Sequence, residues 1–458
     1  MDVLNLIGGA WLPADTSYAH TEPGTGGHLL DAPESSPADV DAAVAAAAKA
    51  ADSWAARPAP ERGELLHRAA ALVERDTASL ATAMAAEAGK PIREATAEVV
   101  RTAAILRFSA GAGRRLGGDV LPSDGSGLTL TLRAPVGVTA LVTPWNFPLA
   151  IPAWKLGPAL VAGNPVVLKP APEAARSAVL LAALLVEAGL PVGVLNVVCG
   201  RAAGPALVEH PDVAAVSCTG SVATGGAVRR AAAARGARAQ VEMGGKNVAV
   251  VLADADLSSA AAAIAAGAFG FAGQKCTATG LCLVQDAVAD EFRHLLHAAT
   301  QRLVVGDPLD PATDCGPLID AAARDRAVGY GCHPRDGDGW YAEPVLLSDV
   351  ALEDPVCREE VFGPVLPVVS VGSLDAAIAA ANRLPTGLAA AVHTASAASA
   401  VRFMNGVVAG VLSVNRPTTG LEVQAPFGGL KASGSEHPEQ GAGATDFYTV
   451  LKTVYWNP

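Results

Sequence analysis

From Val138 to Leu252 the chain alternates short β-branched runs with alanine-rich stretches, and this rhythm restricts the fold more than any other feature. Val138–Val142, Pro165–Leu168, Val194–Val198, Val213–Cys218 and Val248–Leu252 have the length and composition of buried strands. After the first comes a Pro/Asn turn and an apolar segment to Val161; helix-like stretches at 174–188, about 202–209 and about 222–235 separate the others. A strand that returns through a helix pairs in parallel, so the pattern predicts a mostly parallel, doubly wound α/β sheet.

Upstream, residues 36–56 open Ser-Pro-Ala-Asp and continue in alanine, which supplies an N-cap, a proline for the first turn and an early acid. Further helices are expected at about 59–76, 78–89 and 91–112, then an alternating, half-exposed strand at 128–133. The 458 residues suffice for two or three domains, 51% are hydrophobic and 17% charged, and the net charge is −12. That acidity, with no lysine- or arginine-rich run, argues against nucleic acid and anionic membrane as partners. The N-terminus lacks a basic stretch followed by an apolar run, and the apolar segment 255–272 begins with Asp254 and Asp256 as a soluble helix does; the expected location is cytoplasmic. Seven scattered cysteines form no close pair, against a disulfide framework or a metal site.

One cysteine stands apart. Cys276 lies among small residues in Phe-Ala-Gly-Gln-Lys-Cys-Thr-Ala-Thr (271–279), downstream of Val-Glu-Met-Gly-Gly-Lys-Asn (241–247). A thiol open to substrate can attack a carbonyl, and Glu242 can activate the water that releases the acyl group. Lys275 is expected to favour the thiolate. Taken singly, a cysteine is more often a packing residue and a glutamate a solvated charge. Thr219-Gly220-Ser221-Val222-Ala223-Thr224-Gly225-Gly226, between a strand and a helix, offers an anion site, although an isolated turn of this kind is weak. Lys169 ends another strand at the same carboxyl edge.

Nine phrases in order resemble the aldehyde dehydrogenase superfamily over essentially the whole chain. They are Ile-Gly-Gly-Ala-Trp (7–11), Glu-Ala-Gly-Lys-Pro (87–91), Thr-Pro-Trp-Asn-Phe-Pro (143–148), Val-Leu-Lys-Pro (167–170), Cys-Thr-Gly-Ser (218–221), Val-Glu-Met-Gly-Gly-Lys-Asn (241–247), Gly-Gln-Lys-Cys (273–276), Glu-Glu-Val-Phe-Gly-Pro-Val (359–365) and Pro-Phe-Gly-Gly-Leu-Lys (426–431). The resemblance implies oxidation of a small aldehyde to a carboxylate with NAD or NADP, through a thiohemiacetal and a thioester on Cys276. Asn146 would hold the oxyanion with the Cys276 amide, and Glu242 would be the deacylation base. Trp145, Lys169, Gly220, Ser221, Gly225, Glu360 and Phe362 would meet the cofactor. The implied organisation is a Rossmann-like cofactor domain (1–116 and 136–244), an α/β catalytic domain (245–433) and a small β bridging element (117–135 and 434–458). In the family a neighbouring subunit partners the exposed strand, so a homodimer or homotetramer is expected.

Two departures from the family pattern stand out. Pro172 replaces an acid that grips the adenosine ribose, with Glu173 displaced beside it, which predicts that NADP is accepted. The segment 321–340 is shorter than usual. The phrases 144–155, 273–279 and 420–455 look like the 2-oxoglutarate semialdehyde (2,5-dioxovalerate) dehydrogenase branch. An acidic aldehyde then needs a cation, for which Arg416 is the candidate, with Trp154 and Phe427 meeting the rest of the substrate. Two alternatives stay open: a CoA-acylating enzyme of the same fold and a non-catalytic binding protein.

Overall fold

Thr139–Val142, Val166–Lys169, Leu195–Val197, Ala215–Gly220 and Arg238–Met243 pair in parallel, as their short buried runs require. The computed structural model describes residues 2–335 and 337–457. In space these strands run Arg238–Met243, Ala215–Gly220, Thr139–Val142, Val166–Lys169, Leu195–Val197. The chain therefore builds outward from Thr139–Val142 on one side, then returns to its other side. Ligands of open α/β sheets sit beyond the carboxyl ends of the strands at such a switch, here after Val142 and Gly220. Two N-terminal strands, Asn5–Ile7 and Ala10–Leu12, extend the sheet as an antiparallel hairpin that the rhythm did not announce. Gly8 (φ 58°) and Gly9 (φ 85°) make its two-residue turn, a conformation that glycine adopts without strain.

A second sheet has six parallel strands in the order Val345–Leu347, Val365–Val371, Thr279–Gln285, Asn247–Val251, Ala389–His393, Val411–Val414. The run read as Val248–Leu252 belongs here and not to the first sheet, because its neighbours are Thr279–Gln285 and Ala389–His393. Helices Pro37–Ala56, Ala59–Arg75, Thr77–Ala88 and Ile92–Ala112 lie within a residue or so of expectation. Ser36 accepts from the Asp39 amide while Asp39 accepts from the Ser36 amide at 2.8 Å, a reciprocal cap. Asp256 caps Leu257–Phe269 through the Ser259 amide.

The strand Leu128–Pro135 corrects one expectation. Within the chain Thr449–Trp456 pairs with its whole length on one side, and Val120–Leu121 pairs with Leu130 and Thr129 on the other. The chain itself thus supplies a partner on each side of the strand, and exposed large hydrophobics remain on the resulting three-stranded sheet. No helix among the described residues is long and apolar enough to cross a membrane. Nor do they place three or more His, Cys, Asp or Glu side chains where a metal ion could be held.

Candidate active site

Cys276 lies between helix Leu257–Phe269 and strand Thr279–Gln285, at the amino edge of the second sheet and facing the carboxyl edge of the first. The path to it is unusual. Phe271, Ala272 and Gly273 are left-handed in succession, with φ of 53°, 51° and 72°. A side chain on Gly273 would place its Cβ 2.4 Å from the Gly363 carbonyl oxygen. Such conformations cost on the order of 1–2 kcal/mol for each non-glycine residue and persist only where surroundings fix them. Here Gln274, fully buried, donates to the Pro317 carbonyl at 3.2 Å and accepts from the Ile319 amide at 2.9 Å. Asn247 donates to the carbonyls of Cys276 (2.7 Å) and Ala278 (2.8 Å) and accepts from the Ala389 amide. Thr418 donates to the Thr277 carbonyl at 2.7 Å. The loop is held from three sides, so the thiol is aimed by the fold.

The other six cysteines are buried, and Cys276 alone is half-buried. Its thiol is pushed up to about 12, first by burial and then by the carboxylates of Glu360, Glu242 and Glu439. Lys275 does not offset them. Its ammonium is paired with Glu94 at 2.7 Å, which corrects the expectation that it favours the thiolate.

Glu242 sits on strand Arg238–Met243, buried, and its pKa is raised by burial and by Glu439. One carboxylate oxygen accepts from the Gly429 amide at 3.0 Å; the other has no partner and the side chain lines the cavity. An orphaned buried acceptor of this kind suits a proton or a water molecule. Asn146 donates one N–H to the Gln274 carbonyl at 3.0 Å, which leaves its second amide hydrogen free. Behind it, Glu98 accepts from the amides of Leu149 and Ala150 at 3.0 Å and pairs with buried Lys90, whose ammonium lies 3.8 Å from the Phe147 ring centre. Beside Glu242, buried Lys155 pairs with Glu439 and donates to Ser217 at 2.8 Å. Sequence reasoning assigned these two pairs no part, since their members are 8 and 284 residues apart. Only the unusual sight of lysines in apolar stretches hinted at them.

A cavity of about 460 Å³ joins these groups to the switch point of the first sheet. Cys276, Glu242, Asn146, Trp145, Lys169, Pro172, Gly220, Ser221, Glu360, Phe362 and Phe427 all line it. Gly225 does not. It faces the strand behind, where a Cβ would lie 2.3 Å from the Met243 sulfur, so its missing side chain lets the helix pack close. Ser221 caps the 13-residue helix Val222–Ala234 through the Thr224 amide, and its positive end opens on the cavity. Buried Lys169 has its ammonium pKa lowered by desolvation. Glu173 is tied to Arg201 beside Pro172. At the other end the Glu360 carboxylate lies against Gly244, where a Cβ would come within 2.1 Å of it, and accepts from the Gly245 amide at 3.2 Å. Burial raises that carboxyl to about 7. Phe362, left-handed at φ 53°, packs edge-on against Trp145 at 5.6 Å. A cation, a helix N-terminus and a carboxylate over a glycine cradle, strung along one cleft, fit an extended dinucleotide.

Two expected substrate residues fall elsewhere. Arg416 is exposed, 3.4 Å from the Gly420 carbonyl and 3.9 Å from Glu422, and does not line the cavity. Trp154 is buried behind Phe427, 5.7 Å between ring centres, and lines a smaller cavity on the far side.

Known proteins share this fold. The aldehyde dehydrogenase family pattern matches residues 11–454. The alpha-ketoglutaric semialdehyde dehydrogenase of Bacillus subtilis is 39% identical, over 99% of this chain and 98% of its own. Betaine aldehyde dehydrogenase 1 of Rhizobium meliloti is 40% identical over 96% and 94%. The crystal structure of PnpE in complex with nicotinamide adenine dinucleotide superposes with a TM-score of 0.97 at 36% identity, covering 100% of this chain and 98% of that one. The described chain, from its double sheet to its guarded thiol, belongs to the aldehyde dehydrogenase family.

Proposed function

We propose that this enzyme oxidises a small aldehyde with an anionic far end, such as 2-oxoglutarate semialdehyde, to the carboxylate, with Cys276 as nucleophile. The observation that carries this reading is the meeting of the one half-buried thiol, an acid with an unpartnered oxygen and a free amide hydrogen in a single cavity. Cys276 gives up its thiol proton to water in the cavity and attacks the aldehyde carbon as the thiolate. The second N–H of Asn146 and the Cys276 amide stabilise the oxyanion, and preorganised donors of this kind contribute about 3–4 kcal/mol each. NAD or NADP, when bound, supplies the two-electron acceptor that turns the thiohemiacetal into a thioester. Lys169, the Ser221–Thr224 helix end, Glu360 and Phe362 would hold it. Glu242 then draws a proton from water, which attacks the thioester and frees the acid. A buried base placed beside the thiol favours water over CoA as acceptor, and the intact constellation favours catalysis over mere binding.

Cys276→Ala is expected to lose nearly all oxidation and still bind cofactor. Glu242→Gln is expected to give a burst of reduced cofactor and then stall as the acyl-enzyme. Steady, near-normal turnover by either variant contradicts the roles. The substrate class follows from the likeness to semialdehyde dehydrogenases, and a betaine aldehyde, its charge reversed, is the competing case. A panel of acidic, neutral and cationic aldehydes decides between them.

NADP is expected to be accepted at least comparably with NAD. Pro172 removes a carboxylate that would repel a 2′-phosphate, and Glu173 is engaged by Arg201 and so turned from the ribose. The ratio of kcat/KM values checks this; a preference for NAD above about a hundredfold, ~2.7 kcal/mol, contradicts it.

A further inference from the structure

Helix Ile92–Ala112 carries two acids one turn apart, Glu94 and Glu98, and residues four apart share a helix face. Each acid reaches a different half of the catalytic centre. One Glu98 oxygen accepts from the Leu149 and Ala150 amides at 3.0 Å, and the other takes the Lys90 ammonium. Those amides open helix Ala150–Ala162, into which the turn carrying Asn146 runs. Glu94 pairs at 2.7 Å with Lys275, the residue before the nucleophile.

The two pairs meet around Lys90. Its fully buried ammonium lies 3.8 Å from the ring centre of Phe147, next to Asn146. It also lies 4.8 Å from the ring of Phe271, where the left-handed path to Cys276 begins, and both rings attract a cation at such distances. Burial lowers the Lys90 pKa, Glu98 and Glu94 oppose that and Lys275 adds to it, so the four charges form one cluster. Gly270 leaves room for the outer pair: a Cβ there would lie 2.8 Å from the Lys275 ammonium and 2.9 Å from a Glu94 oxygen. The helix start is itself fixed, because the Ile92 amide donates to the Pro308 carbonyl at 2.7 Å and Arg93 pairs with Asp314 at 2.6 Å. That segment continues to Pro317 and Ile319, which hold Gln274.

A buried ion pair adds little stability over apolar residues of the same volume; what its charge-assisted hydrogen bonds add is direction. We propose that Glu98–Lys90 and Glu94–Lys275 are positioning pairs through which the first turns of helix Ile92–Ala112 set Asn146 against Cys276. This rests on the oxyanion and nucleophile roles proposed for those two residues. None of the four charged residues lines the Cys276 cavity, so their loss is expected to lower kcat and leave KM and cofactor affinity in place.

The test is a double-mutant cycle in kcat per cofactor-binding site, with Lys90→Met, Asn146→Ala and the two together. Asn146→Ala is expected to lose ~100-fold or more, the scale of one oxyanion donor. Lys90→Met is expected to lose ~10-fold or more in wild type, as misplacement of a catalytic group does. In the Asn146→Ala background it is expected to lose less than ~3-fold further, because the group it positions is gone. General damage to the fold would multiply with Asn146→Ala, so an equal loss in both backgrounds overturns the proposal. Should Lys90→Met not fold, the outer pair decides. Glu94→Lys and Lys275→Glu are each expected to lower kcat by ~3-fold or more at unchanged KM, and the double swap to restore it. A swapped enzyme no faster than the single variants overturns the proposal. Near-normal kcat in Asn146→Ala alone instead sinks the oxyanion reading on which it rests.

Discussion

The Cys276 thiol rests protonated, because burial and three carboxylates all oppose its ionisation and the one adjacent cation faces away to Glu94. The sign of the pH effect follows. A thiol pushed up to about 12 yields tenfold more thiolate for each unit of pH below that value, and the thiolate is the reactive form. Alkylation of the cofactor-free enzyme by iodoacetamide is therefore expected to quicken through pH 7 to 10 without levelling, and to modify one cysteine, since the other six are buried. A plateau below pH 8, or rapid loss of several thiols, contradicts this. The residue scale also shows what a sequence can reveal. Cys276, Glu242 and Asn146 stand out because short phrases of small residues and turns surround them. Lys155 and Glu439 do not, because each acquires its place beside Glu242 from a partner far along the chain. Lys275 misled for the converse reason: adjacency in sequence to Cys276 did not place its ammonium beside the sulfur, since it pairs with Glu94.

Elements were legible where local chemistry and tertiary demand agree. The helix Pro37–Ala56 is announced by its cap and alanine run, and the cap forms as read. The parallel strands are buried on both faces, which writes them as continuous apolar runs without alternation. Where a long-range partner decides the conformation, the reading fails. The left-handed stretch Phe271–Gly273 has nothing in its composition to announce it beyond one glycine. It exists because Gln274, Asn247 and Thr418 clamp the following loop. Gly225 is the same lesson in reverse. Its place in a phosphate-like turn suggests contact with a ligand, yet its absent side chain makes room for Met243, next to Glu242 on the strand below. The helix end that opens on the cavity and the strand that carries Glu242 are thus packed together at the glycine.

At the scale of the whole molecule, the catalytic cleft is satisfied within one chain, but the small three-stranded sheet is not. Residues directly opposite in an antiparallel ladder share a face, and here Leu128 faces Trp456, Leu130 faces Val454 and Val120. With Leu132, one side of the sheet presents six apolar residues beside Lys452, while the other mixes Thr129, Thr131, Arg133 and Thr453 with exposed Leu121, Leu451 and Tyr455. Val120 is 73% exposed, Trp456 59% and Leu132 49%. A single exposed leucine is ordinary, but seven exposed large hydrophobics gathered on one small sheet, Val120, Leu121, Leu128, Leu132, Leu451, Tyr455 and Trp456, mark an interaction surface. The most economical cover is a second copy of the chain, for which a closed symmetric pairing uses the same patch twice. The enzyme is therefore expected to be a homodimer or homotetramer in solution. A Leu132→Asp, Trp456→Ser double variant is expected to lower the mass measured by light scattering towards that of one chain, with the Cys276 cavity intact and cofactor still bound. A wild-type protein that is monomeric at micromolar concentration, or a double variant whose mass is unchanged, shows that this face has another purpose.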